Sequence, residues 1–311
     1  MPTMDSHRIG AALSAVSDGR VSARRDPEDA IDPEDIIEPE GPVIVSTSEG
    51  IARLLVLGGT TEARQLAARL AMRPDIAATL SLAGRTIAPL TQPVPVRTGG
   101  FGGVEGLATY LAEHGIDRLI DATHPFAARI SANAVAAARL ARVPLLRLER
   151  PAWTMVPGDR WRPVSSVAAA VAALGTGPRR AFLALGRQEL GPFEDAPQHA
   201  YLVRSVDPVE PPLAVPRAAY VLGRGPFREE DDRALFETHG IDAVVAKNSG
   251  GEATYGKIAA ARALGIEVFL IGRPTLPPAE IATDVEAALA WIDRGGTHEA
   301  ASRAVVTERG L

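Results

Sequence analysis

Short apolar runs that end on glycine-bearing turns and lead into helix-like stretches recur from about residue 51 to residue 292, and this rhythm limits the fold more than any other feature. Arg53 to Leu57 runs into Gly58-Gly59-Thr60-Thr61-Glu62, after which Ala63, Leu66, Ala67 and Leu70 mark one helical face. Thr79 to Leu82 stops at Ala83-Gly84-Arg85, and Arg118 to Ala122 stops at Thr123-His124-Pro125-Phe126. The rhythm resumes with Ala181 to Leu185 before Gly186-Arg187-Gln188, Ala219 to Leu222 before Gly223-Arg224-Gly225, Asp242 to Ala246 before Lys247, and Val268 to Ile271 before Gly272-Arg273-Pro274. Strand, loop and helix in alternation predict an α/β fold with mainly parallel sheets. Two similar domains fit the chain better than one, although no clean repeat joins them.

Residues 1–50 carry acidic pairs and prolines with little periodicity and read as a flexible extension. Residues 51–150 are expected to form a first domain that binds a cofactor, 151–294 a second that binds substrate, and 295–311 a loose tail. A formal charge of -5 argues against a nucleic-acid partner. The chain has no cysteine, which excludes disulfides and thiol catalysis, and its histidines lack zinc spacing. No apolar run is long enough for a bilayer, and the start lacks a secretion signal, so a cytoplasmic enzyme is expected, without a membrane partner and without a protein-bound metal.

Gly58, Gly59, Thr60 and Thr61 form the first candidate cofactor loop, because glycines let backbone amides approach a pyrophosphate and the following helix terminus favours its charge. The residues match neither the usual dinucleotide fingerprint nor a P-loop, and a glycine turn with a threonine cap is the competing reading. Glu62 suits the helix terminus rather than phosphate. Ser81 and Arg85 stand where an open sheet examines the adenine ribose, and could hold the 2′-phosphate of NADPH. The glycine-rich stretch from Arg97 to Gly103 is a second ligand loop, with Gly100 and Phe101 as substrate contacts. Asp121 could fix the next loop, with Thr123 at the cofactor and Phe126 against a flat ligand. His124 is a candidate proton donor by its pKa class, and Tyr255 another if its site lowers its pKa.

Both lysines of the chain, Lys247 and Lys257, fall in one stretch with Ser249, Gly250, Gly251, Thr254 and Tyr255, while arginine supplies every other cation. Together with Arg187, Gln188 and Arg224 they could line a cleft that neutralises a polyanionic ligand, with the lysines as mobile point charges. A nucleotide-sugar or phosphate-transferring enzyme would need such a cleft, but the P-loop and acidic metal motifs are missing.

The ordered set Leu55-Val56-Leu57-Gly58-Gly59-Thr60-Thr61-Glu62, Asp121-Ala122-Thr123-His124-Pro125-Phe126-Ala127, Gly186-Arg187-Gln188-Glu189-Leu190, Lys247-Asn248-Ser249-Gly250-Gly251, Tyr255-Gly256-Lys257 and Gly272-Arg273-Pro274 resembles the precorrin-6A reductase family, cobalt-precorrin-6A enzymes included. The resemblance covers about Arg53 to Ile292. It implies two Rossmann-like domains with an interdomain active-site cleft, and NADPH-dependent reduction of the C18=C19 bond of a macrocyclic polycarboxylate tetrapyrrole. Hydride would reach C19 and a proton C18, the proton coming from water or the substrate if no side chain supplies it. Any cobalt would belong to the substrate, and intermediates could pass to neighbouring enzymes of cobalamin biosynthesis. An NADPH-binding regulatory protein without turnover is the alternative.

Overall fold

A computed structural model describes residues 51–84 and 90–294, so the expected extension (1–50), Arg85 and the expected tail (295–311) lie outside the described residues. The run Leu54 to Leu57 is apolar without alternation, as a strand covered on both faces must be. It lies in β1 (Ala52–Leu57), and all four side chains are buried. Around β1 the first lobe builds β2 (Ile76–Leu82), β3 (Val96–Thr98), β4 (Arg118–Asp121) and β5 (Leu145–Leu148). Helix α1 (Thr61–Leu70) packs on one face, while α2 (Val104–Glu113) and α3 (Ala128–Ala141) cover the other.

The second lobe repeats the plan with β6 (Trp161–Val164), β7 (Arg180–Ala184), β8 (Ala200–Ser205), β9 (Ala218–Leu222), β10 (Ala243–Lys247) and β11 (Glu267–Ile271). Its helices are α4 (Val167–Leu174), α5 (Glu229–His239) and α6 (Gly256–Ala263). The chain then leaves this lobe. Strand β12 (Glu280–Ala282) pairs with β5, and a last helix over 285–294 (α7) puts Ala288, Leu289, Trp291 and Ile292 into the core beneath α1. The second domain expected over 151–294 is therefore corrected at its end, because 280–294 complete the first lobe.

The six-stranded sheets run β12-β5-β4-β1-β2-β3 and β6-β11-β10-β7-β8-β9, with all pairs parallel. With β1 and β7 taken as the first strands and β12 and β6 in the sixth places, both follow the doubly wound order 3-2-1-4-5-6. The sixth place is filled crosswise: β6 precedes the strands of its lobe in sequence, and β12 reaches its own only after the second lobe is finished. Three strands were not expected from the sequence. Strands β3 and β12 have three residues each, and β6 contains Pro163, which a strand tolerates at a sheet edge because only one side of its ladder is needed. Among the described residues no helix is long and apolar enough to cross a membrane.

Candidate functional site

Each sheet reverses strand order beside its first strand, between β1 and β4 in one lobe and β7 and β10 in the other. Open sheets bind ligands at such switch points, outside the carboxyl ends of the strands. Here the two switch points meet. His124, after β4, places Nε2 3.1 Å from Oγ of Ser249, after β10. Phe126 packs against the core of the second lobe, and Nζ of Lys247 lies 5.0 Å from the centre of its ring. The side chain expected to lie against a flat ligand therefore docks one lobe on the other. Surface depressions of about 330 Å³ beside α3 and about 420 Å³ at the amino edge of the second sheet lie away from this junction.

In the first lobe the glycine turn divides its tasks. A Cβ on Gly58 would stand 2.6 Å from Cδ1 of Leu80, so this glycine lets β1 and β2 pack closely. Gly59, at φ +119°, has open space where a Cβ would be, which leaves the backbone there accessible to a ligand. Thr60 caps α1: its hydroxyl accepts from the Ala63 amide and donates to the Ala122 carbonyl at 2.8 Å. Its hydroxyl is thus engaged within the fold, while Thr61 opens the helix half-buried. Ser81 is buried, and Arg97 reaches it at 3.4 Å. Arg97 also donates to the carbonyls of Gly99 and Gly100 and stacks 3.7 Å above Phe101, which packs edge-on against Tyr110. Phe101 is thereby tied to its own lobe, whereas Gly100 is exposed. The Thr123 hydroxyl donates to Asp121 at 2.6 Å, so Asp121 does fix the loop, and Thr123 is turned toward it.

The second-lobe loops are less mobile than their composition suggests. A Cβ on Gly250 would approach the Pro151 carbonyl oxygen to 2.0 Å, and one on Gly251 would approach Cδ of Arg150 to 2.6 Å. Both glycines have positive φ, so they let the lysine loop lie on the crossing segment after β5, a reason different from the expected substrate contact. The Asn248 side chain exchanges two hydrogen bonds with the Trp153 backbone, and the Trp153 indole donates to the Gly251 carbonyl. Lys247 pairs with Glu189, and Lys257 is buried with Nζ on the Thr254 carbonyl and 4.8 Å from the Trp153 ring. Neither lysine is the mobile point charge that was expected. Arg187, Gln188 and Arg224 are exposed, with Arg187 reaching Pro208 and Asp207.

Two arginines not among the expected site residues organise the junction. Arg150 donates from Nε to the Ser249 carbonyl at 2.8 Å and from Nη1 to Glu62 at 2.5 Å. Arg273 donates to the carbonyls of Asn248 and Ser249 and to Glu149. Both precede proline and both follow the fifth strand of their lobe. That matched Arg-Pro pair was the available signal.

Neither proton-donor candidate is supported. The Phe126 amide donates to Nδ1 of His124, so the neutral ring carries its proton on Nε2 and donates to Ser249. Burial, with Arg150, Lys247, Arg273 and Lys257 nearby, pushes the His124 pKa down to about 3, so the ring is neutral near pH 7. The Tyr255 phenol is held by Arg262, two turns along α6, at 2.9 Å. Burial lowers Lys257 to about 7, with Asp232 acting against the shift and Arg204 and Arg150 adding to it.

Comparison with known proteins agrees with this geometry. Residues 53–293 match the family model for precorrin-6x reductase CbiJ/CobK. A precorrin-6A reductase of a Sinorhizobium species is 57% identical over 231 residues, 74% of this chain and 88% of the relative. Another from Rhodobacter capsulatus is 52% identical over 248 residues, 79% of this chain and 98% of the relative. The solved structure of a CobK precorrin-6A reductase, 52% identical, superposes with a TM-score of 0.76 over 78% of this chain and 96% of its own. With a doubly wound lobe on each side of one junction and a match along nearly all the described residues, the chain belongs to the precorrin-6x reductase family.

Proposed function

We propose that this chain reduces the C18=C19 bond of precorrin-6A, giving the 6B form, with NADPH as reductant. The meeting of two switch points at one junction carries the reading, because a hydride donor and its acceptor must be held in direct contact, face against face. The relatives described above bear the name of the metal-free substrate, which favours it over the cobalt form. The first lobe fits a dinucleotide: its strand order is the dinucleotide-binding one, and the turn at Gly59 is open on its outer side. The backbone of Gly58, Gly59 and Thr61 would hold the pyrophosphate, with Thr60 shaping the turn, and Ser81 with Arg97 would stand toward the ribose. When bound, the reduced nicotinamide supplies the hydride.

The residues of the chain then bind and orient. Arg187, Gln188 and Arg224 offer exposed donors to the carboxylate arms. His124 stays neutral and holds the two switch points together. The proton at C18 is assigned to water, since Tyr255 is turned away and His124 is not basic enough to carry an extra proton near pH 7. Anaerobic mixing of the enzyme with NADPH and precorrin-6A should consume NADPH with formation of the 6B chromophore, at least about tenfold more efficiently than with NADH. Nucleotide binding without consumption would favour the regulatory alternative. No binding of either nucleotide would remove the cofactor assignment.

A further inference from the structure

Glu62 lies in the first turn of α1, three residues after Gly59 in the open turn. Helix termini favour anions through a partial positive charge of roughly half a unit, so a full negative charge in the first turn opposes a pyrophosphate there. Arg150 cancels that charge. Side-chain exposure is 13% for Arg150 and 19% for Glu62, so water does little of the screening. The other arm of the same guanidinium holds the Ser249 carbonyl, which Arg273 shares, while the Ser249 hydroxyl takes His124. Gly251 makes room for this arginine, since a Cβ there would strike its Cδ.

We infer that Arg150 is a positioning residue that makes the α1 turn receptive to the cofactor by neutralising Glu62, and that it transmits occupancy of that turn to the loop over 248–256. The inference rests on the cofactor reading above. The guanidinium is one rigid fork. A cofactor that fixes the first turn of α1 steadies Glu62, hence Arg150, hence the Ser249 carbonyl, so the second ligand meets a loop already ordered. By reciprocity, substrate binding must strengthen cofactor binding by the same factor, about 5-fold or more.

The test is NADP⁺ titration of the full chain, with hydrogen exchange of 248–256 measured with and without NADP⁺. Arg150→Gln should weaken NADP⁺ at least about tenfold, since it leaves Glu62 uncompensated. Glu62→Gln should bind NADP⁺ more tightly than wild type, a gain that misfolding cannot mimic. The double variant should return to within about threefold of wild type. NADP⁺ should slow exchange of 248–256 in wild type and leave it unchanged in Arg150→Gln. A double variant as weak as Arg150→Gln would mean that the arginine touches phosphate directly, which overturns the inference, as would an unprotected loop in wild type. If wild type itself binds no NADP⁺, the cofactor reading falls and takes this inference with it. If wild type binds and Glu62→Gln is no tighter, only this inference falls.

Discussion

A neutral histidine between four cations leaves a signature in stability. The unfolded His124 titrates near 6.5, whereas the folded one is held to about 3. Between those values the unfolded chain binds the extra proton, so stability falls as pH drops from 6.5 toward 3, by at most about 1.4 kcal/mol per pH unit. His124→Gln, which keeps a donor toward Ser249, should flatten this part of a urea-denaturation series. It should also leave the shape of the kcat/KM profile unchanged; loss of an acidic limb on substitution would restore the imidazole as a proton donor. Residue type declared what this side chain can do, and its place after β4 located its backbone. Its direction came from Phe126 and Ser249, 125 residues away in the latter case, and no local pattern encodes that. Tyr255 teaches the same lesson, since a phenol at the start of α6 can point into the junction or down the helix, and Arg262 decides.

Among the elements, the loop between β10 and α6 has its shape set by the segment it lies on. Gly250 combines a φ of +68° with a carbonyl oxygen 2.0 Å from the position of a Cβ, while Gly59 has a positive φ and empty space. Gly250→Ala should therefore cost about 2 kcal/mol or more in chemical denaturation. Gly59→Ala should cost only its backbone strain, about 1 kcal/mol, and show its main effect as weaker NADP⁺ binding. Equal costs would mean that the linker yields freely to the extra methyl. The buried strands were legible because unbroken apolar runs leave few alternatives. Strands β3, β6 and β12 were not, since short edge strands are held by their neighbour's ladder more than by their own side chains. The candidate loops were found because glycine and proline mark strand ends. At Gly250, Gly251 and Phe126 a packing task between the lobes was not legible, because residues that suit a ligand equally suit the other lobe.

For the whole molecule, the crosswise sixth strands decide what can be removed. Trp291 is buried beneath α1, and its indole donates to Glu280 at the start of β12. Trp291→Ala should destabilise the first lobe by about 3–5 kcal/mol. A chain ending at residue 277 should fail to give a soluble first lobe, because it loses β12 and α7 together. A cooperative melt of that truncation, with unchanged midpoint, would show that 280–294 are dispensable. Sequence order suggested two consecutive domains because nothing local marks a strand that returns after more than a hundred residues. Two separate backbone passages now join the lobes, one after β5 and one after β11, riveted by Glu149 and Arg273. Doors hung from a pair of pins swing but cannot swivel. Any opening that admits a macrocycle should thus follow a single bending axis through those passages and return the same edges to each other at every cycle.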